Sequence, residues 1–246
     1  MLNIKLVLEY DGTEYHGFQR QPEFQGPTVQ GILEDRLARL TNQTVKLTMA
    51  GRTDAGVHAL GQVINFTSDT KIPMDKLPKA LNSLLPYDIR VKQAEIVPLE
   101  FNARFSAKWK RYCYSLYNQP VSSVFNRRFT YHVPQRLDFP AMQEAAQLME
   151  GRKDFRAFCA AGSPVKNFVR SLTKCEVLRE GPLIRITCEA DGFLYNMVRI
   201  ISGTLVEVGK GKIYPADIPG IIGSHDRTTG GVTAPPQGLC LMHVEY

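Results

Sequence analysis

The feature that most constrains the fold is a switch of hydrophobic period along the first hundred residues. IKLVLEY (4–10) alternates with the two-residue period of a strand. A Gly-rich loop, DGTEYHGFQRQPEFQGP, follows, and then a helix opens behind Thr28 as N-cap, with Val29, Ile32, Leu33, Leu37 and Leu40 at helical spacing. VKLTMAG (45–51) and LGQVINFTS (60–68) read as strands, MDKLPKALNSLLP (74–86) as a second helix broken by Pro86, and IRVKQAEIV (89–97) as a further strand. The order β-α-β-β-α-β is that of a ferredoxin-like unit.

The second half is similar in kind. KWKRYCYSLYN (108–118) alternates as a strand, and DFPAMQEAAQLMEG (138–151) reads as a helix starting at Asp138. SLTKCEVLRE and LIRITCEA form a hairpin about Gly181-Pro182. FLYNMVRIISGTLVEVG (193–209) reads as a long helix with Met197, Val198, Ile201, Leu205 and Val208 on one face, and GLCLMHVEY as a last strand. No residue-level repeat joins the halves. The expectation is an α+β chain of two α/β domains, 1–104 and 105–246, whose boundary falls near Asn102 to Ala107 and which offer a cleft between them. At 246 residues the chain is long enough for two such cores.

Composition narrows the class. Hydrophobic residues make up 43% and charged ones 22%, the balance of a globular protein, and no apolar run reaches the ~18 to 20 residues of a membrane span. The opening MLNIKLVLEYDG alternates like a strand and lacks a signal peptide's cleavage region, so export is not expected. Cys113, Cys159, Cys175, Cys188 and Cys240 are scattered and form no C-x-x-C, which predicts buried thiols in a reducing cytosol rather than a disulfide framework or a zinc site. Thirty Lys and Arg against 24 Asp and Glu favour a polyanionic partner.

The candidate chemistry lies in AGRTDAGVHALGQVINF (50–66), where Asp54 sits in a glycine-bracketed loop two residues after Arg52 and four before His58. Asp is common in turns. Against that reading, Arg52 and Asp54 at i, i+2 can project from the same side, and a nearby arginine keeps a carboxylate ionised. A lone ionised carboxylate suits a nucleophile or a general base, whereas a glycosidase needs two. His58 reads as structural, since two ligands do not make a metal site. EYDGT (9–13) is a weak match to a phosphatase loop of the D-x-D-G-T kind, with Glu at position 9 and Asp11 alone; VGKGK (208–212) lacks the Ser or Thr of a P-loop.

In KWKRYCYSLYN, alternation puts Tyr112 and Tyr114 on one face with Lys110, and Trp109 with Arg111 on the other. Such a strand is either a packed core or a stacking platform for unstacked bases beside phosphate contacts. Arg199, inside an apolar helix, is either a solvated charge or one aimed at a cleft carboxylate. Arg127, Arg128, Arg152, Lys153, Arg156, Lys166 and Arg170 are basic loop residues able to track a nucleic-acid backbone.

YDGTEYHGFQRQ, VQGILEDRL, GRTDAGVHALGQV, FNARFSAKWKRYCYSLYN, GRKDFRAF, GFLYNMVRIISGTLVEVGKG and APPQGLCL together resemble the bacterial tRNA pseudouridine synthase A family, in order and over essentially the whole chain. The resemblance implies isomerisation of uridine to pseudouridine at positions 38, 39 and 40 of the tRNA anticodon stem-loop. It implies Asp54 as the catalytic aspartate, Arg52 as the arginine linked to flipping the base, Tyr112 as the tyrosine packed against uracil, Arg199 as the partner of the aspartate, and Leu239 as an apolar residue of the pocket. It also implies a continuous, largely antiparallel sheet across both domains, a cytoplasmic homodimer sharing the tRNA, no cofactor, no metal, and neither DNA nor membrane as partner. The competing classes are a non-catalytic tRNA-binding protein on the same fold, which could dispense with Asp54 or Arg199, and a metal-dependent phosphatase built on Asp11.

Overall fold

The computed structural model describes residues 1–21 and 26–246; Pro22 to Gln25, in the loop predicted after the first strand, lie outside the described residues. The chain is α+β, and the ten strands among the described residues pair mostly antiparallel. It divides into two compact units, Met1–Lys108 with Leu241–Tyr246, and Trp109–Cys240.

In the first unit the elements run β1 (Leu2–Tyr10), α1 (Val29–Thr41), β2 (Thr48–Met49), β3 (His58–Ser68), α2 (Leu77–Asn82) and β4 (Ile89–Val97). This is the order the periodicity predicts. β1 lies between β3 and β4, antiparallel to both, and Ile4, Leu6, Leu8 and Tyr10 of its alternation are buried. Thr28 caps α1 as expected, its Oγ1 accepting from Gly31 N at 3.2 Å. β2 is shorter than the predicted strand over 45–51. Val45 and Leu47 are buried as the alternation requires, yet Leu47 N donates to the Glu34 carboxylate at 3.2 Å instead of joining a ladder. α2 keeps only the middle of its predicted span; turns anchored on Pro73 O and Leu81 O flank it.

The second unit contains β5 (Trp109–Tyr117), β6 (Tyr131–His132), α3 (Phe139–Met149), β7 (Gly151–Asp154), β8 (Val169–Glu180), β9 (Leu183–Ala190), α4 (Met197–Gly209) and α5 (Ile218–Ser224). Its strands follow the order β5-β9-β8-β7, antiparallel throughout, with β6 added parallel to β5. The β8–β9 hairpin turns at Gly181, φ 59°. Asp138 caps α3 by accepting from Ala141 N at 3.1 Å. α4 starts at Met197, four residues later than the sequence predicts, because Asn196 adopts φ 60° and ψ 11° and ends the preceding turn. Its predicted apolar face is buried, and so are Ser202, Gly203 and Thr204. A Cβ on Gly203 would stand 1.8 Å from Val232 O, so the chain after α5 runs against the helix backbone there.

The last strand, β10 (Leu239–Glu245), takes its place beside β3. Met242 approaches Gly61 so closely that a Cβ there would lie 2.4 Å from its carbonyl oxygen. Lys108 N donates to Glu245 O at 2.8 Å, and Tyr246 OH to Ala103 O at 2.8 Å. These contacts draw Leu241–Tyr246 into the first unit. None of the five cysteines forms a disulfide; four are buried and Cys240 is half-buried. Among the described residues no helix is long and apolar enough to cross a membrane.

Candidate active site

Asp54 lies between β2 and β3, in a loop gripped through its main chain. Gln62, wholly buried in β3, donates from Nε2 to Gly51 O at 2.8 Å. Thr53 turns inward, its Oγ1 2.7 Å from the hydroxyl of Tyr10 at the end of β1. Phe18 N donates to Thr53 O at 3.0 Å. Gly17 holds φ 87°, and a Cβ on it would come within 2.9 Å of that same carbonyl. Beyond Asp54 the loop closes as Val57 N donates to Asp54 O at 3.1 Å and Gly56 N to Tyr15 O at 3.4 Å. Thr53 is buried, Asp54 half-buried and Arg52 exposed, so the two charged side chains flank an inward anchor.

His58 is buried at the start of β3, its Nδ1 3.0 Å from Gly12 N and 3.1 Å from Asp11 Oδ1. Asp11 Oδ1 also accepts from Thr13 N at 3.0 Å and Thr13 Oγ1 at 2.5 Å, an Asx turn. Both residues therefore brace the loop after β1, which agrees with the structural reading of His58. Tyr15 OH donates to Asp88 Oδ1 at 2.6 Å; burial first, then the carboxylate, push its pKa above the usual phenol value and keep it a neutral donor. Among the described residues, no group of three or more His, Cys, Asp or Glu is placed to hold a metal ion.

The other candidates belong to the second unit. On β5, Tyr112 and Tyr114 are both buried, as their shared face predicts. Their surroundings differ. Tyr112 packs T-shaped with Phe193, ring centroids 5.1 Å apart at 84°. Tyr114 donates from its hydroxyl to Pro235 O at 2.7 Å and leaves no room for a Cβ on Gly238, and burial raises its pKa. On the opposite face the Arg111 guanidinium lies 5.3 Å from the Trp109 ring and its Nε donates to Glu189 at 2.7 Å. Leu239, 7% exposed, begins β10 directly after the turn Pro236–Gly238.

Arg199 is half-buried in the first turn of α4. Nε donates to Ala234 O and Nη1 to Asn196 Oδ1, each at 2.8 Å, and Ala234 N returns a bond to Arg199 O at 3.1 Å. These bonds hold the guanidinium at Nε and Nη1. Of the basic residues expected in loops, Lys153 lies instead in β7 and Arg170 in β8, where strand pairing claims their backbone. Lys153 donates to Leu148 O at 2.6 Å with its pKa lowered by burial, Arg170 donates to Asn167 O and Val169 O, and Arg156 lies over the Phe168 ring at 4.7 Å. Sequence reasoning missed Tyr10, Thr53, Gln62, Phe193 and Asn196. The one advance signal was Gln62, a polar residue inside an apolar strand.

Comparison with known proteins fixes the family. Residues 6–106 and 145–246 match the model of a family described as tRNA pseudouridine synthase. Three relatives, each named tRNA pseudouridine synthase A, are similar over nearly their whole length. That of Moorella thermoacetica is 50% identical over 99% of both chains. That of Syntrophomonas wolfei is 50% identical over 100% of this chain and 98% of its own. That of Caldicellulosiruptor saccharolyticus is 48% identical over 100% of both. The chain belongs to the tRNA pseudouridine synthase family. It is accordingly an enzyme of the isomerase class. The stretches matched to the tRNA pseudouridine synthase model contain Arg52, Asp54, Arg199 and Leu239, whereas Tyr112 falls between them.

Proposed function

We propose that this enzyme converts uridine to pseudouridine at positions 38, 39 and 40 of the tRNA anticodon stem-loop, with Asp54 as the catalytic carboxylate. The observation that carries the reading is the Asp54 loop, a family-matched segment whose main chain is fixed on both sides of one aspartate while its neighbour Arg52 faces solvent. The reaction breaks the N1–C1′ bond, turns the uracil and joins C5 to C1′, with the C5 proton lost and N1 protonated. Substrate and product are isomers, so neither a redox partner nor a nucleotide enters, and the reaction calls for no metal or cofactor. One ionised carboxylate suffices, by adding to C1′, by adding to C6 or by taking the 2′ proton.

Arg199 serves as the counter-charge of Asp54. Its Nε and Nη1 bonds to Ala234 O and Asn196 Oδ1 hold the guanidinium, and the Nη edge of a guanidinium has the geometry to pair with a carboxylate. Tyr112 presents a ring face to the flipped uracil, its ring packed T-shaped with Phe193, and Leu239 adds an apolar wall. Arg52 assists extrusion of the nucleotide, which costs about a few kcal/mol of stacking and pairing; basic surface offsets this through phosphate contacts. The enzyme acts as a homodimer in the cytoplasm.

The test is incubation of an unmodified tRNA transcript with the purified protein, followed by pseudouridine mapping at single-nucleotide resolution. New pseudouridine at positions 38 to 40 is expected. Modification elsewhere in the tRNA would overturn the site assignment, and none at all would overturn the activity.

A further inference from the structure

Asn196 precedes α4 in the left-handed region of backbone space, φ 60° and ψ 11°. A residue here ordinarily turns its side chain onto the first amides of the helix. Asn196 makes no such cap bond. Its Oδ1 accepts instead from Arg199 Nη1 at 2.8 Å, while its own carbonyl accepts Ile200 N at 2.9 Å as the helix begins. Left-handed backbone favours glycine, and asparagine next. Glycine would fit the backbone at least as well but would bring no acceptor.

The second grip on Arg199 is the Ala234 carbonyl, bonded to Nε at 2.8 Å. A guanidinium is rigid and planar, so two bonds at different nitrogens define its plane and its rotation within that plane. Removing either bond loosens that definition. The helix behind it moves little, because Gly203 and Thr204 are buried against the 231–234 segment and Thr204 Oγ1 accepts Gly231 N at 2.9 Å.

We propose that Asn196 is a positioning residue of the isomerase, its side-chain carbonyl setting the guanidinium plane of Arg199 at the expense of a helix cap. The inference rests on the reading of Arg199 as the counter-charge of Asp54. Asn196 touches no reacting atom in this scheme; it decides the angle at which Arg199 meets the carboxylate.

Asn196→Gly tests the idea without straining the backbone. Its melting temperature should match that of the parent and KM for tRNA should change little, while single-turnover kcat falls about tenfold to a hundredfold, the scale of one hydrogen bond to a charged group. Arg199→Gln should lose more. The double variant should be no slower than Arg199→Gln, because coupled residues are non-additive. Parental kcat in Asn196→Gly beside an inactive, folded Arg199→Gln would overturn the proposal and leave the role of Arg199 intact. A double variant slower by the full single-variant factor, or a loss of kcat that tracks a lowered melting temperature, would also overturn it. A fully active Arg199→Gln would instead remove the underlying reading.

Discussion

Asp54 in its loop and Arg199 in the first turn of α4 are both charged side chains, but the fold grips them at different places. Around Asp54 the hydrogen bonds of Gln62, Phe18 and Val57 fall on main-chain carbonyls, with the Thr53 hydroxyl as an added anchor. At α4 the guanidinium itself is held, donating to Ala234 O and Asn196 Oδ1. A short carboxylate has one rotatable bond before its charged carbon, so fixing the backbone nearly fixes the group. Arginine has a long flexible stem and must be held at its far end. The difference teaches that the two charges are vulnerable to different mutations, the first to changes in remote core residues and the second to changes beside the group.

The largest effect expected is at Asp54. Asp54→Asn keeps size and backbone contacts but removes the charge, so pseudouridine formation should vanish while tRNA affinity and melting temperature hold. Substantial turnover by a pure sample would break the assignment. Next comes the pair of tyrosines. Tyr112→Leu should cost about tenfold to a hundredfold in single-turnover rate, the value of roughly 1 to 3 kcal/mol of base stacking, with affinity preserved. Tyr114→Leu, which loses the bond to Pro235 O, should chiefly lower the melting temperature. Equal behaviour of the two would return Tyr112 to the core.

A smaller effect sharpens the contrast directly. Thr53→Val is nearly isosteric and removes the bond to Tyr10, so it should cost about 1 to 2 kcal/mol of stability and lower kcat with it. Rate and stability should fall together here, because the loop depends on the whole fold. A change in rate with no change in stability would blur the distinction between the two regions.

The smallest effect concerns pH. On α4, burial raises the Glu207 pKa, but hydrogen bonds from Lys212 and Lys210 outweigh it and hold the carboxyl below its usual value. A depressed folded pKa stabilises above the unfolded value and is lost as pH falls through the folded one. Glu207→Gln should therefore lower the melting temperature near neutrality by about 2 to 4 °C. The gap should close as the solution is acidified through the carboxylate range. The Thr53→Val deficit, which involves neutral groups only, should persist at every pH where the protein is folded.

Much of this was legible in advance, for physical reasons that differ by element. β4 occupies the span read for it, Ile89–Val97, because alternation and clear turns bound it. Thr28 and Asp138 cap their helices because a cap needs only residues within one turn. Asp54 and Arg52 stood out because glycines on both sides left a charged loop with little else to do. The grip on that loop was not legible: Tyr10 and Thr53 are 43 residues apart, and a single sequence gives no hint of such pairing. The start of α4 was misread for the opposite reason. FLYN continues the apolar pattern, and only the left-handed backbone of Asn196, a local geometric fact, breaks it.

The placement of β10 also bears on the order in which the protein can be made. The strand that lies beside β3 follows every element of the second unit along the chain. While the ribosome is still producing α4 and α5, the sheet carrying the Asp54 loop has an open backbone edge where β10 will go. Open edges recruit foreign strands. The first unit is thus begun first and finished last. Nascent chains stalled before residue 239 should present that edge to chaperones, and a peptide spanning β10 supplied in trans has a ready-made place to bind.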